Sequence, residues 1–340
     1  MQSRTKQTVL FSAKVLLSIG VLVYIARGLD LQQLRTNLLT VDPAMFLLAL
    51  ALVGLQTFLL NGRWELIMRS LGVSLNWMAG WRILMISLWF NQALPSSAGG
   101  DVVRMWLLRQ FDVSWSQAVK GVMADRFTAL IGLVALMVVG LPLLLSRVDN
   151  HAAILAIGGL TVAGVVGTAV LLTLDRWPKR IITLRPIASL VRFGSFVRYL
   201  LLQFKRRELL FGLALLIHLM TAAACYTLAV GLRAQLSILD AFVLIPPVIL
   251  LTAVPISIGG WGVREGAMVA CLALVGIPSE KALSISLLLG AISMIIGVVG
   301  GAIWLMSAER GVYSAASAAE AAAGSPDYGL RQAEEASSKP

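Results

Sequence analysis

Long apolar runs, separated by short polar segments, extend along almost the whole chain. The longest runs cover residues 9–26, 43–61, 121–146, 152–174, 208–231 and 280–306. An apolar run of about 20 residues is long enough to cross the roughly 30 Å hydrocarbon core of a bilayer as a helix. The pattern therefore predicts an all-α polytopic membrane protein with about six full spans.

Two further apolar runs end in sequences that a helix in lipid does not tolerate. Residues 81–94 are too few to cross the hydrocarbon core, and a Pro-x-Ser-x-Gly-Gly segment follows them directly. Residues 237–254 end in the same way, and a second short apolar segment follows each break, over residues 101–111 and 265–275. Irregular backbone survives at membrane depth only where it is buried in protein or lines a cavity. We therefore predict two re-entrant helical hairpins.

The two hairpin tips carry the same motif. Residues 95–104 read Pro-Ser-Ser-Ala-Gly-Gly-Asp-Val-Val-Arg, and residues 255–264 read Pro-Ile-Ser-Ile-Gly-Gly-Trp-Gly-Val-Arg. The segments after the hairpins, 111–114 and 275–278, also resemble each other. Such self-similarity predicts an internal repeat. The predicted repeat units cover roughly residues 43–146 and 208–306.

Charge patterning sets the expected orientation of these units. Residues 175–207 hold nine lysines or arginines against Asp175 alone. Because lysine and arginine collect in cytoplasmic loops, we expect this segment and both chain termini in the cytoplasm. Counting spans outward from it makes the two units antiparallel, which is an inverted repeat. Residues 187–204 suit either a solvated loop or an amphipathic helix at the membrane interface.

Composition narrows the class of protein further. The chain has 340 residues, 58% of them hydrophobic and 13% charged, whereas a soluble domain has about 25% charged residues. Its net charge of +11 therefore indicates anionic lipid, not nucleic acid, as the partner. Residues 1–307 form the predicted membrane domain, and residues 308–340 are predicted to be a disordered cytoplasmic tail.

The chain shows no sequence pattern typical of an enzyme. A nucleophile–base arrangement, metal-ligand spacing and a nucleotide-binding loop are all missing, so we expect neither catalysis nor a metal nor a cofactor. Cys225 and Cys271 lie in apolar stretches without CxxC spacing and are expected in the core.

The repeated motif supplies a candidate anion site at each tip. Each glycine pair precedes a helix, whose free N–H groups and positive dipole end favour an anion. Arg104 and Arg264 follow about one turn later, and a guanidinium has the fork geometry that binds phosphate oxygens. The candidate binding residues are Ser97, Gly99, Gly100, Asp101, Arg104, Asp125, Arg126, Ser257, Gly259, Gly260, Arg264 and Glu265.

Structural roles compete with binding at these positions. The glycine pairs also suit tight packing, and each arginine also suits an ion pair with a neighbouring acid, such as Asp101 with Arg104. Asp125 and Arg126 are expected to form an internal ion pair or to line the ligand path. Asp101 and Glu265 have no acidic counterpart in the other copy, so the two halves are unequal. Either carboxylate suits proton uptake or contact with a cationic headgroup.

Several polar residues outside the motif are expected to serve structure. The second span is expected to end at Asn61, which places Arg63 and Glu65 at headgroup level in a polar loop over residues 62–80. The other expectations are a hydrogen-bonded packing role for His218 and close helix packing at Gly297, Gly300 and Gly301.

Four segments of the chain resemble a known family. They are Asn-Gly-Arg-Trp-Glu at 61–65, Pro-Ser-Ser-Ala-Gly-Gly-Asp at 95–101, Asp-Arg at 125–126, and Pro-Ile-Ser-Ile-Gly-Gly-Trp-Gly-Val-Arg-Glu at 255–265. They look like the flippase-like transmembrane domain of the lysylphosphatidylglycerol synthase family, across most of the membrane part. In two-domain members, that domain is thought to translocate aminoacylated phospholipid made by a soluble domain. The short tail here implies a stand-alone, non-enzymatic member.

The resemblance and the motif together predict the class of function. We expect a bacterial inner-membrane protein that translocates or binds a phospholipid, or another lipid with an anionic or zwitterionic headgroup, between leaflets. The alternatives are a non-transporting scaffold for envelope-lipid or glycan biosynthesis, with an enzyme or a second copy as partner, and a small-solute secondary transporter. A polar cavity open to lipid between spans favours translocation, whereas a cavity open only to water favours a solute carrier.

Overall fold

The computed structural model describes residue 20 and residues 30–94, 99–177, 185–253 and 260–307. The predicted first span and the predicted tail lie outside these ranges. Regular structure in the described residues is helical. The helices are α1 (Leu31–Leu39), α2 (Pro43–Ser70), α3 (Trp77–Ala93), α4 (Gly99–Leu108), α5 (Trp115–Arg147), α6 (His151–Thr173), α7 (Arg185–Leu202), α8 (Arg207–Gly231), α9 (Ile238–Ala253), α10 (Val263–Ala273) and α11 (Ser279–Met306), with 3-10 turns at Arg109–Phe111 and Leu174–Arg176.

The long helices agree with the hydrophobic pattern. Helices α2, α5, α8 and α11, and α6 with the turn that follows it, are long and apolar enough to cross a membrane. Helix α5 starts earlier than predicted because Ser114 and Gln117 form a capping box, in which each side chain accepts the other residue's N–H. The described residues therefore confirm an all-α, multi-pass membrane protein.

One predicted boundary is wrong. Helix α2 does not end at Asn61 but continues to Ser70, so residues 62–70 are helical where a polar loop was predicted. The last turns bury one face, including Arg63 and Trp64, while Glu65 and Arg69 pair across one turn on the other face. The polar side chains that suggested a loop are thus distributed around an amphipathic helix end.

The two short helix pairs are hairpins. Helix α3 packs against α4, and α9 packs against α10. The Gly100 N–H donates to the Asn91 side-chain oxygen at 3.0 Å, which joins the start of α4 to the end of α3. The tip residues 95–98 and 254–259 lie outside the described residues. Re-entry into a membrane stays a prediction.

The backbone carries marks of the repeat that the motif alone does not reveal. Gly72 after α2 and Arg233 after α8 have φ values of 78° and 51°. Asp112 after α4 and Gly276 after α10 have φ values of 55° and 74°. Left-handed backbone is uncommon, especially outside glycine. Its occurrence at matching helix ends supports a structural correspondence between the two units.

Equivalent helices of the two units run antiparallel. At one end of the α2–α8 pair, the Asp42 N–H donates to the Gly231 carbonyl at 3.1 Å. Further along, the Gln56 side chain donates to the Ile217 carbonyl at 2.8 Å. Advancing along α2 therefore means moving backward along α8, as an inverted repeat requires.

The first helix of each hairpin packs against the other unit. Helix α3 packs on α11 of the second unit, and α9 packs on α5 of the first. The approach of α3 to α11 is close: a Cβ at Gly300 would lie 2.0 Å from the Met85 carbonyl oxygen, and one at Gly301 would lie 2.9 Å from Trp89. The predicted packing role of the Gly297–Gly301 stretch is confirmed.

The basic segment contains a helix. Helix α7 packs against α5, α6 and α8, with Val197 and Leu200 fully buried. A Cβ at Gly194 would lie 2.2 Å from the Leu171 carbonyl oxygen, so α7 touches the end of α6 directly. Of the two alternatives for this segment, the described residues show the helix, and its place at a membrane interface stays a prediction.

Candidate functional site

Asp125 on α5 joins two arginines from two other helices. Its Oδ1 accepts a hydrogen bond from Arg63 Nε at 2.9 Å, and its Oδ2 accepts one from Arg104 Nη1 at 2.9 Å. Arg63 lies on α2 and Arg104 lies on α4. The three side chains are 6% exposed or less. Because a buried charge is costly unless it is paired, Asp125 is the residue that holds both guanidinium groups in the protein interior.

Trp64 completes this group, which we call the arginine cluster (Arg63, Trp64, Arg104 and Asp125). The guanidinium carbon of Arg104 lies 3.8 Å from the centroid of the Trp64 ring, and Trp64 is fully buried. A cation over an indole face is attracted by the ring quadrupole. Trp64 and Asp125 therefore fix the position and the plane of the Arg104 guanidinium.

Donors in the arginine cluster exceed the acceptors around it. Among the described residues, no acceptor meets Arg63 Nη1, Arg104 Nε, Arg104 Nη2 or Trp64 Nε1, all of which are buried. A buried donor without an acceptor costs about 1–3 kcal/mol. Two arginines against one aspartate also leave one unit of positive charge. Both features favour an anionic oxygen ligand at this position.

A second ion pair lies at the edge of the arginine cluster. The Arg126 guanidinium donates two hydrogen bonds to the Asp101 carboxylate, both at 2.9 Å. We call Asp101 and Arg126 the rim pair, because the Arg126 side chain is 55% exposed and the Asp101 side chain only 15%. Asp101 lies three residues before Arg104 on α4, and Arg126 directly follows Asp125 on α5, so the rim pair lies beside the buried cluster.

At the second tip, the charged side chains pair with each other. Arg264 donates to Glu265 Oε1 at 2.7 and 3.0 Å, and the other oxygen of that fully buried carboxylate accepts the Gly262 N–H at 2.6 Å. Ser286 on α11 contacts both side chains, and Trp261 lies 4.7 Å from the guanidinium carbon. One arginine here meets one acid, so this tip carries no excess charge.

The glycines serve different purposes at the two tips. A Cβ at Gly100 would lie 2.0 Å from the Ser87 carbonyl oxygen, so Gly100 allows α4 to approach α3 closely. Gly260 has a φ of 82°, and among the described residues the atom nearest to a Cβ there would belong to Thr252, at 3.8 Å. Close packing requires the first glycine, whereas backbone conformation requires the second.

A comparison with known protein families shows the family of the chain. A model of the lysylphosphatidylglycerol synthase transmembrane region matches residues 11–301. The chain belongs to this family. A UPF0104 membrane protein of Methanocaldococcus jannaschii is 29% identical over 109 residues, which is 32% of this chain and 31% of that protein. The matched segment thus spans less than a third of that relative. No solved structure matches.

The family match includes both tips, and the structure brings most of the predicted residues of the first tip together. Asp101, Arg104, Asp125 and Arg126 form one connected region, with Gly99 and Gly100 at the start of α4. Arg264 and Glu265 form a separate group at the second tip with Gly260 nearby in sequence. Ser97, Ser257 and Gly259 lie outside the described residues.

The predicted pairing of neighbours is wrong in the first unit. Asp101 binds Arg126 instead of Arg104, and Asp125 binds Arg63 and Arg104 instead of Arg126. Asp125 and Arg126 are adjacent on α5 and contact different helices, and Asp101 meets Arg126 although Arg104 lies within reach on its own helix, so contacts between helices decide these pairs. In the second unit, Arg264 does pair with its neighbour Glu265.

Sequence reasoning missed Arg63, Trp64 and Ser286 as members of these sites. Arg63 was predicted to lie at the interface, but it is 3% exposed. Its position in the Asn-Gly-Arg-Trp-Glu segment that resembles the family was the available signal. Ser286 carries no such signal, because it lies in an ordinary apolar span.

Other chemistry-bearing residues have structural roles. Cys225 and Cys271 are free and buried, as predicted. The His218 ring nitrogen Nε2 lies 2.9 Å from the Ala129 carbonyl oxygen, which joins α8 to α5 and confirms its hydrogen-bonded packing role. Within the described ranges, no three His, Cys, Asp or Glu residues are grouped so that they could hold a metal ion.

Proposed function

We propose that this protein binds the phosphate of a lipid headgroup at the arginine cluster and moves that lipid between membrane leaflets. The observation that carries the proposal is the set of buried donors on Arg63, Trp64 and Arg104 without an acceptor among the described residues. A phosphodiester has two non-bridging oxygens that accept several hydrogen bonds, and its single negative charge matches the excess charge of the cluster.

The surroundings of the cluster favour an amphiphile over a water-soluble solute. Arg126 lies about 16 Å along α5 from its first residue, Trp115, at 1.5 Å per residue. Its exposed guanidinium lies on the same side of the helix as Met123, three residues earlier and 50% exposed. Charged and apolar groups thus adjoin on the outer face of a spanning helix, which suits a ligand with a polar head and an apolar chain.

The proposal extends to partner and location. The ligand class is a phospholipid or related lipid with an anionic or zwitterionic headgroup, and the rim pair lies where the headgroup enters. We place the protein in the bacterial plasma membrane with both termini in the cytoplasm, on the basis of the basic segment at 175–207. In this role the chain needs no catalytic group of its own.

Lipid movement in proteoliposomes tests the proposal. Fluorescent phosphatidylglycerol would be followed by reduction of the probe in the outer leaflet. The comparison includes wild type, Arg63→Gln, Arg104→Gln and protein-free vesicles. Losing one charge-assisted contact costs about 1.5–3 kcal/mol, so each substitution is expected to slow movement about tenfold or more.

Three controls separate binding from folding. Arg147→Gln removes an arginine whose side chain is 43% exposed and paired with Asp240, and we expect a wild-type rate. Arg104→Lys keeps the positive charge but lacks the fork, so we expect a folded protein with slow movement. A fluorescent neutral glycolipid without phosphate is expected to move no faster than in protein-free vesicles. Equal rates of lipid movement for wild type, Arg63→Gln and Arg104→Gln would overturn the proposal.

A further inference from the structure

Helix α7 presents two unlike surfaces. Its inner face carries Val197 and Leu200, which are fully buried. Leu200 belongs to an apolar cluster with Leu66 of α2, Ala124 of α5 and Leu210 of α8. The helix therefore lies across the ends of several spanning helices and does not run alongside them for their whole length.

The outer surface of α7 and the turn after it combine cations with large apolar side chains. Arg192, Lys205 and Arg206 are exposed, and no carboxylate of the described residues pairs with them. The nearby acids are already engaged, Asp175 with Arg198 and Glu208 with Arg207. Large apolar side chains are exposed as well: Tyr199 (39% exposed) and Leu202 (61%) on this surface, and Leu190 (51%) near the start of the helix.

The position of α7 is set by the end of α6. Arg198 donates to both carboxylate oxygens of Asp175, in the turn that follows α6. Trp177, two residues later, is 41% exposed. Tryptophan is enriched at the level of lipid headgroups. Asp175 and Trp177 therefore place α7 at the height where the spanning helix α6 leaves the hydrocarbon core.

We propose that the outer surface of α7 and the adjoining turn is a docking surface for the anionic lipids of the leaflet in which α7 lies. Exposed leucines and a tyrosine would be unfavourable in water, but they suit the boundary between headgroups and acyl chains. Unpaired lysine and arginine at that boundary attract anionic headgroups. The proposal concerns lipid binding at a surface and does not depend on lipid movement through the arginine cluster.

Lipid selectivity around the full-length protein tests the surface. The protein would be reconstituted in phosphatidylcholine vesicles with a small fraction of spin-labelled phosphatidylglycerol or spin-labelled phosphatidylcholine. The motionally restricted fraction of each label gives their relative association with the protein. We expect wild type to prefer phosphatidylglycerol, and the preference to fall as salt rises from about 0.05 to 0.5 M, because exposed charges are screened.

The decisive variant removes the three unpaired cations together, as Arg192→Gln/Lys205→Gln/Arg206→Gln. A basic residue at a membrane surface contributes up to about fivefold in association, so we expect most of the preference to be lost. The matched control, Arg35→Gln/Arg233→Gln/Lys281→Gln, removes two exposed cations and one half-buried cation elsewhere on the molecule and should keep the preference. Equal preference in both triple variants would overturn the proposal.

A second measurement locates the apolar side chains. Cysteines introduced at Leu190 and Leu202 would carry a fluorophore, with Asp149, exposed between α5 and α6, as the reference position. Quenching by brominated acyl chains is expected at both leucine positions and not at the reference. Quenching by aqueous iodide alone, with no preference for phosphatidylglycerol in wild type, would overturn the proposal and favour an acidic protein partner on this face.

Discussion

Arg104 and Arg264 occupy the same position of the repeated motif, but their ionic surroundings differ. Arg264 pairs with Glu265, the next residue of its own helix, and among the described residues that carboxylate accepts its other hydrogen bonds from Gly262, just before α10, and from Ser286 on α11. Arg104 has Met105 in place of that acid and pairs with Asp125 on α5, which it shares with Arg63 on α2. One tip is neutralised locally, whereas the other depends on a distant acid.

This difference separates a structural role from a ligand role within one motif. A guanidinium that is fully paired stabilises its own turn and has little capacity for a ligand. A guanidinium that shares its acid with a second arginine keeps N–H donors and positive charge that favour an anionic ligand. The residue after the arginine, Glu265 in one copy and Met105 in the other, therefore distinguishes the two tips, although both carry the arginine.

The largest expected effect separates the two acids. Asp125→Asn removes the charge that two buried guanidinium groups share, so we expect the free energy of unfolding to fall by about 3–5 kcal/mol. Glu265→Gln leaves one guanidinium unpaired but keeps an oxygen for the Gly262 N–H, so we expect a loss of about 2 kcal/mol. Equilibrium unfolding in mixed SDS and detergent micelles measures both.

A surface acid provides the reference for that pair. Glu208→Gln breaks the exposed ion pair with Arg207, in which the Glu208 side chain is 72% exposed, and the change should stay within about 0.5 kcal/mol. Equal losses of unfolding free energy for Asp125→Asn and Glu265→Gln would mean that the two acids stabilise their tips to the same extent.

An intermediate effect is expected at the glycines. Gly100→Ala forces a Cβ to within 2.0 Å of the Ser87 carbonyl oxygen, so the α3–α4 hairpin must open, at a cost of about 3 kcal/mol. Gly260→Ala brings its Cβ no closer than 3.8 Å to any described residue, so the expected cost is that of left-handed backbone, about 1–2 kcal/mol. Thermal unfolding in detergent compares them, with Gly54→Ala in α2 as a substitution into open space. A larger loss of stability for Gly260→Ala than for Gly100→Ala would contradict the roles assigned to the two glycines.

The smallest expected effect concerns the rim pair. A double-mutant cycle with Asp101→Asn and Arg126→Gln should give a coupling of about 1 kcal/mol or less in unfolding free energy, because Arg126 is more than half exposed. If the headgroup enters here, the same variants should change the rate of lipid movement severalfold. A coupling of about 3 kcal/mol without any change in rate would show that the pair belongs to the protein's folded core.

The hydrophobic pattern was sufficient for the five spans and the two pairs of short helices that the described residues contain, because lipid imposes length and apolarity on each helix separately. It failed at residues 62–70, where a helix end that buries Arg63 has the composition of an interfacial loop. Burial of an arginine depends on an acid from another helix, and a periodic pattern holds no information about that partner.

The sequence predicted part of the candidate site, but it missed Arg63, Trp64 and Ser286 and most of the contacts between the members. The repeat located Arg104 and Arg264, and the mismatches at Asp101 and Glu265 correctly indicated unequal halves. The partners were missed because Arg63 and Asp125 are 62 residues apart and meet only after α2 and α5 pack. Two neighbouring charges in sequence are a weak guide to pairing when each faces a different helix.

The packing of α3 against a helix of the other unit has a consequence for biosynthesis. Helix α3 rests on α11, which is synthesised about 200 residues later, so at about 5–20 residues per second the hairpin waits some 10–40 s for its partner. During that interval the glycine-lined surface it will contact does not yet exist. The first half is therefore synthesised before the surface on which α3 packs, and α11 supplies that surface once it has been made.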